Sequence, residues 1–145
     1  MKLDLSLISF AENLRTSTID GERFVYDPIR KKNIILQPEE MVRQCILSFF
    51  IYHTEISKNL IGVEKGIKVN GLFKRCDIII YDRNILPFMI VEVKRPEQKI
   101  SQKVFNQIAM YNIPLKTPYL MVSNGMDSYI CSLNFEEKAF EFIDH

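Results

Sequence analysis

The sequence predicts one α/β (α+β) domain, a mixed β-sheet flanked by helices, with elements in the order αβββαβ(β). Three observations predict it. Ile78-Ile79-Ile80-Tyr81 and Phe88-Met89-Ile90-Val91 are unbroken apolar runs of strand length, as in central strands covered on both faces. Apolar residues before and after these runs recur at helical three- and four-residue steps. Short polar turns, Asn70-Gly71, Asp82-Arg83-Asn84 and Asn124-Gly125, separate the strand-like segments.

Taken in order, residues 1–36 have weak periodicity and read as an N-terminal arm with a short hairpin around Phe24-Tyr26 and Ile34-Leu36. Residues 37–145 form the main domain. Gln37-Pro38-Glu39-Glu40 starts a helix, because proline fits the first turn and acids favour the positive end of the helix dipole. Val42, Cys45, Ile46, Phe49 and Ile56 give it one apolar face to about residue 58, and Asn59 and Gly62 end it. Strands follow at Ile61 to Val69, Phe73 to Tyr81 and Pro87 to Lys94. A second helix spans Ser101 to Asn112 and is closed by Pro114. Tyr119 to Ser123, Ser128 to Leu133 and Ala139 to Ile143 complete the sheet.

Composition narrows the function. At 145 residues and 17.0 kDa the chain is the size of one domain, without room for a motor. The longest apolar runs, Cys45 to Tyr52 and Ile85 to Val91, are too short to span a bilayer, and no secretory signal is evident. The expected location is the cytoplasm. Cys45, Cys76 and Cys131 are odd in number and lie in apolar runs, which predicts buried thiols rather than disulfides or a zinc site. His53 lies in a predicted helix and His145 is the last residue, so His-dependent nucleophilic catalysis is not expected. Gly66 and Gly71 have phosphate-loop spacing, but Leu72-Phe73 follow where Lys-Ser/Thr is required. Charge is uneven: residues 60–116 carry ten basic and five acidic side chains, residues 117–145 one and five. A basic middle and an acidic tail fit either a polyanion footprint or an ordinary solvated surface.

The chemistry lies in polar residues where a buried strand is expected to be apolar. Asp77 heads Ile78-Ile79-Ile80, and Glu92 and Lys94 interrupt the next run. Alternation puts Glu92 and Lys94 on one face, about 7 Å apart at a rise of about 3.3 Å per residue. If the two strands are neighbours, Asp77 lies beside Glu92. Two carboxylates and a lysine at strand ends suit Mg²⁺, which keeps waters and accepts phosphate oxygens. The lysine then orients or helps deprotonate an attacking water. The competing reading is a strand-end salt bridge of Lys94 with Glu92 or Asp77.

Asp77 followed by Glu92-Val93-Lys94 on the adjoining strand resembles the PD-(D/E)XK nuclease superfamily. Six motifs in order narrow the resemblance: Asp27-Pro28-Ile29-Arg30-Lys31-Lys32, Pro38-Glu39-Glu40-Met41-Val42-Arg43-Gln44, Lys74-Arg75-Cys76-Asp77-Ile78, Val91-Glu92-Val93-Lys94-Arg95-Pro96, Gln107-Ile108-Ala109-Met110-Tyr111-Asn112 and Ser123-Asn124-Gly125. Together they are similar to the N-terminal nuclease domain of type I restriction enzyme R subunits, in a small free-standing form. The resemblance implies a restriction-endonuclease-like fold and endonuclease-like DNA cleavage with Mg²⁺, or Mn²⁺ in its place. Asp77, Glu92 and Lys94 match the catalytic residues. Asp77, Glu92 and the Val93 carbonyl match metal ligands, with Glu40 joining through water. Gln107 and Tyr111 match a QxxxY signature and, with Lys103, form a DNA-facing row. Cys76 stands where the superfamily pattern has proline. Implied partners are DNA and other subunits of a restriction-type system, with no membrane. The alternative is a DNA-binding or assembly module that keeps the fold without cutting. Glu40 and Arg43 also fit a surface ion pair, and Arg30-Lys31-Lys32 reads as a solvated turn without a site role.

Overall fold

Asp20-Gly21 and Asn70-Gly71 each adopt positive φ at both positions, the geometry of a two-residue hairpin turn that matches strand twist. The computed structural model describes residues 6–134 and 139–142. Around Asp20-Gly21, β1 (Thr16–Ile19) and β2 (Glu22–Asp27) pair antiparallel, and β3 (Lys32–Ile35) adds to β2, so the arm is a three-stranded sheet. Then come α1 (Pro38–His53), β4 (Ile61–Val69), β5 (Leu72–Tyr81), β6 (Pro87–Val93), α2 (Gln102–Asn112), β7 (Tyr119–Ser123), β8 (Ser128–Asn134) and β9 (Ala139–Phe142). The predicted end of the last strand, Ile143, lies outside the described residues, as do Glu136, Glu137 and Asp144 of the acidic tail.

The main sheet has six strands in the order β4-β5-β6-β7-β8-β9. Every neighbouring pair is antiparallel except β6–β7, which is parallel because α2 carries the chain back across the sheet. This is the predicted mixed sheet with flanking helices. One core packs Val42, Ile46 and Leu47 of α1 against Ile78, Ile80, Val91 and Met121. The other packs Phe105 and Ala109 of α2 against Ile79, Ile90, Leu120 and Val122. With both faces covered, the central runs have no polar face to show. No helix among the described residues is long and apolar enough to cross a membrane.

The first helix ends earlier than its pattern suggests, at His53 rather than near residue 58. Thr54 leaves the helix in extended conformation, its hydroxyl donating to the Phe50 carbonyl and accepting the Ile56 N–H at 3.2 Å. Ile56 therefore reaches the α1-side core from a loop. His53 packs against the rings of Phe10 and Phe49. All three cysteines are free and buried.

Alternation fails at one place. Ile61 and Val63 pack on the α1 side but Ile67 on the α2 side; opposite them, Ile78 and Ile80 pack with α1 but Cys76 with α2. Residues two or four apart on a regular strand share a face, so the ribbon turns over between the pairs Val63↔Ile78 and Lys65↔Cys76. Glu64 lies there in left-handed conformation, at φ +58°. Asp77 occupies the corresponding point of β5.

Candidate active site

Asp77 is held at this inversion by its own carboxylate. Its Oδ2 accepts the Val93 N–H at 2.8 Å, so the side chain ties β5 to β6 one pair beyond Ile78↔Val91. Its Oδ1 lies 3.7 Å from an Arg43 nitrogen, the nearest cation. Burial pushes the Asp77 pKa up to about 6 from 3.8; the Val93 N–H opposes this, the charge of Glu92 adds to it, and Arg43 opposes it. The fold thus maintains two acids close enough to repel.

Glu92 is the residue before Val93 and shares the face of Ile90, toward α2. Its carboxylate is ion-paired with the Lys74 ammonium, which also donates to Asn112 Oδ1 at 2.9 Å and lies 4.8 Å from the centre of the Tyr111 ring. Glu92 is thus paired with Lys74, not Lys94 as in the salt-bridge reading. Among the described residues the Lys94 ammonium has no hydrogen-bond or ion-pair partner, while its backbone N–H donates to the Ser123 carbonyl at 2.8 Å. A cleft of about 370 Å³ is lined by Lys74, Glu92, Lys94, Gln107, Ile108, Tyr111 and Asn112. Glu92, Lys94, Gln107 and Tyr111 therefore share one cleft. Lys103 is exposed one turn earlier on α2, outside the lining.

Glu40 belongs to a separate network. Asp27, fully buried, accepts the N–H groups of Ile29 and Arg30 at 2.7 and 2.8 Å, Arg30 Nε at 2.6 Å and Gln44 Nε2 at 3.0 Å. These bonds and the Arg30 charge hold its carboxyl below the usual range despite burial. Arg30 Nη2 and Gln44 Nε2 then donate to Glu40 at 2.8 and 3.1 Å, and Arg43 lies 3.4 Å from Glu40 Oε1. The other Arg43 nitrogen meets Glu64 at 2.8 Å and faces Asp77. Two readings of the sequence are corrected here. Glu40 and Arg43 are a buried pair rather than a surface one, because the arm's sheet closes over the start of α1. Arg30 is not a solvated turn residue but the link between Asp27 and Glu40. Glu40 does not meet Asp77 directly; Arg43 stands between them.

Sequence reasoning missed Asp27, Arg30, Gln44, Lys74 and Asn112 as participants. All five stand within the ordered motifs, which was the available signal, but no periodicity marks them. Among the described residues no three His, Cys, Asp or Glu side chains form a ready cation cage. Asp77 and Glu92 stand on neighbouring strands and offer carboxylate oxygens, the donor type that a hard divalent cation takes. Mg²⁺ characteristically takes one or two carboxylates and fills its shell with water and phosphate.

Comparison with protein families finds that the model described as "Type I restriction enzyme R protein N terminus" matches residues 38–145. Neither a curated protein nor a solved structure matches.

Proposed function

Because the chain belongs to the family of type I restriction enzyme R protein N-termini, we propose that it is a nuclease domain that hydrolyses DNA phosphodiesters with Mg²⁺. The observation that carries this reading is the Asp77 carboxylate. Burial pushes its pKa up to about 6 and the charge of Glu92 on the neighbouring strand adds to this, while the only cation facing it among the described residues is Arg43, at 3.7 Å. A carboxylate desolvated in this way costs stability at neutral pH, and strongly perturbed acids cluster at functional sites.

Asp77 and Glu92, with the Val93 carbonyl, would hold the Mg²⁺, or Mn²⁺ in its place. When bound, the cation supplies Lewis-acid polarisation of the phosphodiester. Lys94, whose ammonium has no partner among the described residues, orients the attacking water and stabilises the charge that develops on phosphate oxygens. Gln107 and Tyr111 bind the sugar-phosphate backbone from the cleft wall, and Lys103 extends the row along α2. Glu40 acts on the pair through Arg43, by fixing the guanidinium that faces Asp77. DNA is the proposed substrate, and other subunits of a restriction-type system are the proposed protein partners.

Incubation of the purified chain with supercoiled and linear DNA tests the proposal. Cleavage that appears with Mg²⁺ or Mn²⁺ and disappears on chelation is expected. DNA binding without cleavage under any of these metals would leave the reading of a module that binds and does not cut.

A further inference from the structure

Lys74 has no part in the chemistry just proposed, yet it makes the most direct contact with Glu92. Its ammonium touches three groups at once: the Glu92 carboxylate, Asn112 Oδ1 at 2.9 Å and the face of Tyr111 at 4.8 Å. Asn112 is fully buried and its Nδ2 donates to the Ile108 carbonyl at 2.7 Å, so its Oδ1 is a fixed acceptor. Tyr111 is well exposed on the cleft. Regular alternation would place Lys74 with Ile78 and Ile80, facing α1. The inversion at Glu64 and Asp77 brings it to the face of Glu92 instead. A lysine has thus been brought by a backbone irregularity to the carboxylate that a divalent cation would need.

We propose that Lys74 is an internal counter-ion of Glu92, one that a divalent cation must displace and that is then free to meet DNA phosphate in the same cleft. The inference rests on the nuclease reading and deepens it. Without metal, the ammonium neutralises Glu92 and limits repulsion with Asp77. A cation at the pair takes over that neutralisation. Lys74 remains tethered near Asn112 and Tyr111, a second positive charge beside Lys94. Cation and DNA binding are then coupled through one side chain, and the coupling is reciprocal.

The test is Mn²⁺ affinity, measured by calorimetry on the full chain without DNA. Lys74→Met and Lys74→Gln should each tighten Mn²⁺ binding by about tenfold, within the usual range of site-to-site coupling. Lys68→Met, on the exposed face of the β4–β5 ribbon, should leave it unchanged and so controls for net charge. In the same variants, non-cleaving Ca²⁺ should enhance DNA affinity less than in the wild type. If wild-type binding depends on Asp77 but both Lys74 variants bind Mn²⁺ no tighter, the counter-ion role is overturned while the nuclease reading stands. If no protein shows Mn²⁺ binding that Asp77→Asn removes, the cation reading falls and takes the Lys74 inference with it.

Discussion

Asp77 Oδ2 accepts the main-chain N–H of Val93 at 2.8 Å, so the first acid of the site is anchored to the strand that bears the second. The bond fixes one oxygen and leaves the other toward Arg43, 3.7 Å away. It also means that the carboxylate proposed to take the cation already serves as a structural acceptor.

The pKa of about 6 sets a pH dependence. Protons and a divalent cation compete for Asp77, so Mn²⁺ affinity should rise from pH 5 to 7 and level off above. Calorimetry at several pH values measures this; a flat profile would remove Asp77 from the site. The sign for folding is opposite to the usual aspartate. The folded-state pKa is raised above 3.8, so stability is fullest below about pH 4 and falls as pH rises through 6. Asp77→Asn should therefore stabilise the metal-free chain at pH 8 more than at pH 4, seen by urea unfolding.

Lys94→Ala should lower the cleavage rate on the order of 10²–10³, the usual cost of removing a stabiliser of developing charge. Glu92→Ala should reduce it at least as much. Lys94 fills no core and has no ion-pair partner among the described residues, so circular dichroism and thermal midpoint of Lys94→Ala should change little. A Lys94→Ala variant that cuts at the wild-type rate under saturating Mg²⁺ would sink the nuclease assignment.

Asp27→Ala should destabilise the fold by about 3 kcal/mol or more, because the main-chain N–H groups of Ile29 and Arg30 and the Arg30 Nε lose their acceptor, and Arg30 and Gln44 are left with Glu40 alone. The Asp27 pKa is lowered, so its contribution is present above the ordinary value of 3.8 and is lost as pH falls through the folded pKa. Denaturant titration at pH 7 and pH 3 should show the variant's deficit shrinking at the lower pH.

Gln107→Ala should reduce DNA affinity and cleavage rate together, since the residue lines the cleft without touching Glu92. Lys103→Ala, one turn outside the lining, should weaken binding less and mainly at low salt. Equal, salt-independent losses in the two would argue against a backbone-tracking row.

The sheet was readable because its signal is local. Unbroken apolar runs and Asn-Gly turns mark β4 to β8 to within a residue or two, and with them the adjacency of the Asp77 and Glu92 strands. Glu92, Lys94, Gln107 and Tyr111 share a cleft for the same reason, regular alternation on β6 and regular helical spacing on α2. What was not readable depends on contacts without a period. Asp27 and Gln44 are 17 residues apart, Arg30 and Glu40 ten, and nothing in a run of basic residues singles out Arg30. Lys74 was hidden by the ribbon's inversion, since a glutamate at positive φ leaves no glycine signature. The end of α1 was overextended because Ile56 keeps helical spacing while a hydroxyl at Thr54 has already ended the helix.

The inversion at Glu64 divides one strand between two masters. Ile78 and Ile80 pack with α1 whereas Cys76, in phase with them along the strand, packs with α2, so a substitution at Cys76 and one at Ile78 are felt by different helices although they stand two apart.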